Sequence, residues 1–244
     1  MIVQAFWHGP LGVMERMCIN SYLRHGIDFH LYTYSPIPWE MPGLKSCDAH
    51  EIVPESKLSS LPSISLFSDY FRYSLLAACG GWWVDMDTIC LRPFTAIDSD
   101  YAFASDNIDH YYISGCFLKT PRGSPLLTSA IDFIDCLTAP ERAALGHMDI
   151  GPYLLQREVT TRFLDRYVQP PLAFDPIPWN HITRIVDPAA AFDLSQSYAI
   201  HLRQSIWNGG PNSSAGILPD GRKLSTTDTY PAESLWEQLK RDLS

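Results

Sequence analysis

Residues 2–7 form an unbroken apolar and aromatic run that stops at His8-Gly9-Pro10, and from residue 13 to 25 apolar positions return at helical spacing until Gly26. This predicts a strand, a turn and a helix. Residues 29–34 alternate and are rich in β-formers, which predicts a second strand, followed by a Pro-rich loop over 36–42 and a short strand over 51–53. Strand, helix and strand in that order predict a parallel α/β sheet. Ser68 is placed to cap a helix that carries Tyr70, Phe71, Leu75 and Leu76 inward, and Gly80-Gly81 ends it before a buried strand at Trp82-Trp83-Val84. Beyond it the pattern predicts β-rich runs at 101–104 and 111–118 with a polar loop or hairpin between them. Helices follow at about 125–137 and 153–167, the second introduced by Gly151-Pro152. A late strand at 198–202, a polar loop at 208–221 and an amphipathic helix at 232–243 complete the pattern.

With 244 residues and 46% hydrophobic content, the chain can bury one sizeable core, and it shows no repeat, low-complexity tract or clear linker. We expect one domain over 1–244. Its net charge of −9 argues against a protein that grips nucleic acid or an anionic membrane through a basic surface. The six cysteines form no C-x-x-C pair and read as reduced core residues, the start carries no basic leader, and no apolar run reaches the length of a membrane span. The expected location is therefore cytoplasmic, with peripheral contact at the inner face of a membrane left open.

The chemistry concentrates at Asp85-Met86-Asp87. Side chains alternate along an extended chain, so Asp85 and Asp87 leave the same face, close enough to share a divalent cation. A D-x-D alone is equally compatible with a solvated turn, but here it follows a buried strand, and the carboxyl ends of parallel strands are where α/β proteins bind ligands. Asp69 and Arg72 lie three apart on the preceding helix and share one face, either as an exposed pair or as a buried pair turned toward the same ligand. Trp7, at the end of the first strand, opens onto the same sheet edge and could be core or a platform for a planar base. The segment 201–210 joins His201, Ser205 and Trp207 before Gly209-Gly210, a composition suited to closing over a ligand. No P-loop, G-x-G-x-x-G or G-x-S-x-G motif is present.

Taken together, the block at 6–10, Ser68-Asp69-x-x-Arg72, Gly80-Gly81-x-x-x-Asp85-x-Asp87 and the block at 201–207 resemble the DXD-containing sugar-transferase family. That family includes yeast-type mannosyltransferases, lactosylceramide galactosyltransferases and bacterial capsule enzymes, with the clostridial glucosylating toxins more distant. The resemblance implies a GT-A fold, a Rossmann-like mixed sheet flanked by helices, with a nucleotide-sugar and metal half at 1–94 and an acceptor half at 95–244. It also implies a nucleotide-sugar donor (UDP-linked favoured), Mn²⁺ or Mg²⁺, and a hydroxyl acceptor on a saccharide, glycolipid or protein, reached with retention of configuration. Carried over residue by residue, Asp87 ligates the metal, Asp85 contacts ribose, donor sugar or metal, and Asp69 and Arg72 hold donor-sugar hydroxyls. Trp7 stacks on the base, His201 completes the metal or diphosphate site, and Ser205 with Trp207 caps the diphosphate. The stretch Ile150-Gly151-Pro152 begins a helix near the donor. Asp106, Asn107 and Asp109 could meet the acceptor. The toxins carry a carboxylate where His201 stands.

Two rivals bear on the same residues. Asp85-Met86-Asp87-Thr88 superficially resembles the haloacid-dehalogenase signature D-x-D-x-T, although its threonine comes one place early. A non-catalytic nucleotide-sugar-binding module is the other.

Overall fold

In the computed structural model, the structure is described for residues 1–37, 40–108, 110–210 and 212–244, with residues 107, 108, 110 and 111 described by their backbone alone. The elements in chain order are β1 (Ile2–Phe6), α1 (Val13–Arg24), β2 (Asp28–Thr33), β3 (Leu44–Asp48), α2 (Ile64–Cys79), β4 (Gly81–Val84) and β5 (Thr88–Cys90). Then come β6 (Ala102–Ile108), β7 (His110–Thr120), α3 (Pro125–Cys136), α4 (Ala139–Ala143), α5 (Leu154–Thr161), α6 (Pro171–Phe174), β8 (Ala199–His201), α7 (Gln204–Trp207) and α8 (Leu235–Leu243).

Six strands form one mixed sheet in the order β3-β2-β1-β4-β7-β6, with β3, β2, β1 and β4 parallel, and β7 antiparallel to both β4 and β6. After β1 the chain moves outward to β2 and β3, then returns to place β4 on the other side of β1. The carboxyl ends of β1 and β4 therefore diverge around a crevice, the place where open α/β sheets take ligands.

The sheet is covered on both faces. Along β4, Trp82 and Val84 enter the core shared with Cys18, Ile19 and Tyr22 of α1, while Trp83 enters the core of α2, α3 and α5. That alternation follows from extended backbone and ends at Val84. Met86 and Asp87 form a turn, with the Thr88 amide donating to the Asp85 carbonyl at 3.2 Å, so Asp85 and Asp87 do not leave one face by strand alternation as expected. A third apolar cluster, with Trp207 and Trp236 at its centre, packs α7 and α8 beneath the small antiparallel β5-β8 ladder.

Three expectations about elements are corrected. The strand expected at 51–53 lies instead at β3, whose residues are intermediate or exposed because it is the sheet's edge and shows no alternating apolar signal. Helix α2 starts a turn before Ser68: its cap is Ser63, whose hydroxyl accepts from the Leu66 amide at 3.3 Å. The helix expected over 153–167 ends at Thr161, followed by Phe163 at φ 56°, a left-handed residue that breaks the helical path. Residues 105–108 and His110 belong to the paired strands β6 and β7, so the described part of 105–110 takes the hairpin form of the two expected. All six cysteines are free, with Cys18, Cys90 and Cys116 buried and Cys79 and Cys136 exposed.

Candidate active site

Arg72 is the centre of the first half of the site. It is buried on α2, its Nη1 donates to Asp69 at 2.7 Å, its Nη2 donates to Asp85 at 2.8 Å, and its guanidinium lies over the Trp83 ring at 5.0 Å. The Trp83 indole donates to the same Asp85 oxygen, Oδ1, at 2.7 Å. Two donors therefore pin one oxygen of Asp85, which fixes the carboxylate while Oδ2 is left to a ligand. Of the two forms considered for the Asp69–Arg72 pair, the buried one turned toward the ligand space is present.

Two glycines make room for this arrangement. A Cβ on Gly115 of β7 would stand 1.9 Å from Arg72 Nη1, and one on Gly151 would stand 2.6 Å from Asp69 Oδ2. Gly151 lies in a π-helical turn, Asp149–Tyr153, that is held against α2 by the Tyr73 hydroxyl donating to the Ile150 carbonyl at 2.9 Å. Ile150-Gly151-Pro152 thus forms the wall beside Asp69.

The second half is built by strand register. In the β5-β8 ladder Thr88 pairs with His201, and the Leu202 amide donates to the Asp87 carbonyl at 2.8 Å, so the imidazole is delivered beside the second aspartate. His201 Nε2 lies 3.3 Å from Asp87 Oδ2, which also accepts from the Gln204 amide at 2.8 Å. Asp87 Oδ1 is buried without a hydrogen-bond partner among the described residues.

Around these groups lies a cavity of about 630 Å³. Trp7, Asp69, Arg72, Asp85, Asp87, His201 and Ser205 all line it. Trp7 is half-buried at the end of β1, with its indole donating to the Pro10 carbonyl at 3.1 Å. Ser205 is exposed at the cavity's rim. Trp207 is not among the lining residues: it packs on Trp236 and donates its indole N–H to the Leu202 carbonyl at 2.8 Å. Asp106 lines the cavity and accepts from Arg203 at 2.8 Å, whereas Asp109 and the side chain of Asn107 lie outside the described residues.

Asp85, Asp87 and His201 each offer a ligand atom within 4.8 Å of the others. Two carboxylates and an imidazole can hold a divalent cation, and the orphaned Asp87 Oδ1 is a buried acceptor such an ion would satisfy. Burial alone would lift the Asp87 carboxyl, but the His201 imidazole and the Gln204 amide hold it below the usual range. Burial alone would likewise lower His201, and the charge of Asp87 outweighs it and raises the imidazole well above its ordinary value. Asp69 behaves in the opposite way to Asp87. Burial pushes its carboxyl up to about 6, against the pull of Arg72 and with a further push from Asp85.

Two groups at this end escaped the sequence reading. Arg203 adopts a left-handed backbone (φ 58°) and bonds both Asp106 and Asp175, and Asp175 is fully buried beside His201. Neither sits in a motif. Their only trace in the sequence is a charge beside apolar neighbours, Phe174-Asp175 and Leu202-Arg203.

Residues 18–104 match the family described as a glycosyltransferase sugar-binding region containing a DXD motif, a span that includes Asp69, Arg72, Asp85 and Asp87. No curated protein matches in sequence. The fold is similar to that of the galactosyltransferase LgtC, solved with donor and acceptor sugar analogues, at TM-score 0.54 and 11% identity over 100% of this chain and 96% of LgtC. It is also similar to the apo form of the glycosyltransferase GlyE of Streptococcus pneumoniae TIGR4, at TM-score 0.53 and 13% identity over 98% of this chain. The chain spans 59% of the length of GlyE. The mixed six-stranded sheet is thus a GT-A fold.

Proposed function

We propose that this chain, a glycosyltransferase by its DXD sugar-binding region and its fold, moves a hexose from a nucleotide-sugar to an acceptor hydroxyl with retention of configuration. The observation that carries the reading is the meeting of Asp85, Asp87 and His201 on one cavity that Trp7, Asp69 and Arg72 also line. In it Trp7 stacks on the base, UDP-linked donors being favoured. Asp69 and Arg72 hold donor-sugar hydroxyls, and Asp85 bridges to the donor through its free oxygen. Asp87, Asp85 and His201 hold Mn²⁺ or Mg²⁺, and Ser205 meets the diphosphate from the rim. Residues 1–94 form the donor half and residues 95–244 the acceptor half, with His201 reaching across from the second.

A bound divalent cation would neutralise the departing diphosphate. The protein's own contribution is positioning and fixed charge. Among the described residues, the carboxylates lining the cavity are Asp69, Asp85, Asp87 and Asp106, and each already lies against Arg72, His201 or Arg203. In this reading the acceptor hydroxyl attacks the face that the diphosphate leaves, and the departing phosphate oxygen takes its proton.

The acceptor is a saccharide, glycolipid or protein hydroxyl, and assembly of bacterial surface polysaccharide at the inner face of the membrane is the setting we favour, with the chain itself cytoplasmic. Among the described residues no helix is long and apolar enough to cross a membrane. The phosphohydrolase alternative needs a threonine at the cavity, but Thr88 is buried with its hydroxyl donated to the Asp85 carbonyl at 2.7 Å, beside the Tyr22 hydroxyl. Calorimetry with UDP-, GDP- and CMP-sugars, with and without Mn²⁺, tests the proposal. A Mn²⁺-dependent preference for one donor is expected, Asp87→Asn should abolish it, and full donor turnover in that variant would remove the metal from the mechanism.

A further inference from the structure

His201 faces a second carboxylate on the side away from Asp87. Its Nδ1 lies 3.6 Å from Asp175 Oδ2, and neither Nδ1 nor Asp175 Oδ1 has a hydrogen-bond partner among the described residues. Asp175 follows α6 and is completely buried, an expensive place for a carboxylate unless its charge is compensated. Arg203 supplies that compensation and bonds the same Oδ2, with Asp106 on its other side. The groups around the imidazole are thus Asp87 at Nε2, Asp175 at Nδ1, and Cys116 and Arg203 nearby.

An imidazole that gives one nitrogen's lone pair to a cation must carry its hydrogen on the other, and the acceptor facing that other nitrogen decides which way round the ring is used. Here the nitrogen turned to Asp87 is Nε2 and the one turned to a fixed, charge-balanced carboxylate is Nδ1. Cys116, Asp175 and His201 also lie close enough together to hold an ion themselves. The guanidinium of Arg203 against Asp175 works against a second cation there, and Asp175 is left to act on the ring.

We propose that Asp175 is a positioning residue for His201: it accepts the Nδ1 hydrogen and so presents Nε2 toward the cation held with Asp85 and Asp87, while Arg203 holds Asp175 in place. This rests on the metal-dependent reading above and adds to it a residue from outside the DXD region. A short closure of the 3.6 Å separation is all the hydrogen bond requires.

Mn²⁺ binding, followed by electron paramagnetic resonance of the free ion without donor, tests it in wild type, Asp87→Asn, Asp175→Ala and Asp175→Asn. Loss of the orienting carboxylate in Asp175→Ala should weaken Mn²⁺ about 10- to 100-fold. Asp175→Asn, whose amide oxygen still accepts the hydrogen, should recover most of the affinity. Equal weakening in the two variants would reduce Asp175 to a distant charge and overturn the proposal, as would wild-type affinity in a folded Asp175→Ala. If wild type binds no Mn²⁺, or Asp87→Asn binds it unchanged, the metal reading itself fails. Should Asp175→Ala not fold, the intact protein decides. With Mg²⁺ bound, ¹⁵N spectra of labelled histidine should show His201 protonated at Nδ1 and bare at Nε2, and the reverse tautomer would refute the assignment.

Discussion

Asp69 and Asp85 share one guanidinium, and the more deeply buried of the two is the less well compensated. The Asp69 carboxyl, pushed up to about 6 by burial, takes a proton more readily in the folded chain than in the unfolded one. Its contribution to stability is therefore fully present below the ordinary carboxylate range and is lost as pH rises through about 6. Function runs the other way, because a donor hydroxyl needs the ionised acceptor. We expect donor kcat/KM to fall about tenfold per pH unit below pH 6, and Asp69→Asn to be weak and flat across that range. A pH profile that keeps the same acid limb in Asp69→Asn would assign the limb elsewhere. Gly115 gives a steric counterpart. The Cβ of Gly115→Ala would overlap Arg72 Nη1, a guanidinium walled in by α2 and Trp83, so the variant should lose donor binding and about 1–3 kcal/mol of stability. Calorimetry and denaturant unfolding measure the two effects. Asp69 and Arg72 were legible because a three-residue spacing on a helix gives them a common direction, whereas Asp85 and Asp87 stand in the turn between β4 and β5 and reach the cavity through that turn, not through strand alternation. Asp175 and Arg203 were not legible, since nothing in a proline-rich stretch or at the end of a three-residue strand announces which distant charge will face it.

At the level of elements, β4 could be read from sequence because a strand buried on both faces is apolar throughout, as Trp82-Trp83-Val84 is. Strand β3 could not, for an edge strand needs only backbone partners on one side and keeps half its side chains in solvent. The start of α2 was obscured by a choice of serines at 63, 65 and 68, each chemically able to cap. Only Ser63 leaves its hydroxyl facing a free amide of the first turn. Ser63→Ala should cost about 1 kcal/mol in urea unfolding while leaving the Mn²⁺ affinity as it was, since the cap lies at the far end of the helix from Gly80. A loss as large at Ser68→Ala would place the helix start where the sequence pattern first suggested it. The link that no local pattern carries is the β5-β8 ladder. Its strands are three residues each, and their pairing is what sets Asp87 beside His201.

Across the whole molecule, the DXD region and the rest of the site come from opposite ends of the chain. Residues 18–104 contribute four of the cavity's charged groups, while Trp7 precedes that span and His201 and Arg203 follow it. The Asp87 carboxylate and the Gln204 amide that binds it are 117 residues apart in sequence. Closing a loop of that length costs entropy before any contact across it is rewarded, so the pairing belongs to the late part of folding. During synthesis the aspartates emerge long before the imidazole that faces them, and β5 has no ladder partner until β8 has been made. On the proposed reading, a nascent chain has no complete site until its last third has been made, because the carboxylates at 85 and 87 gain their imidazole only when β8 docks on β5.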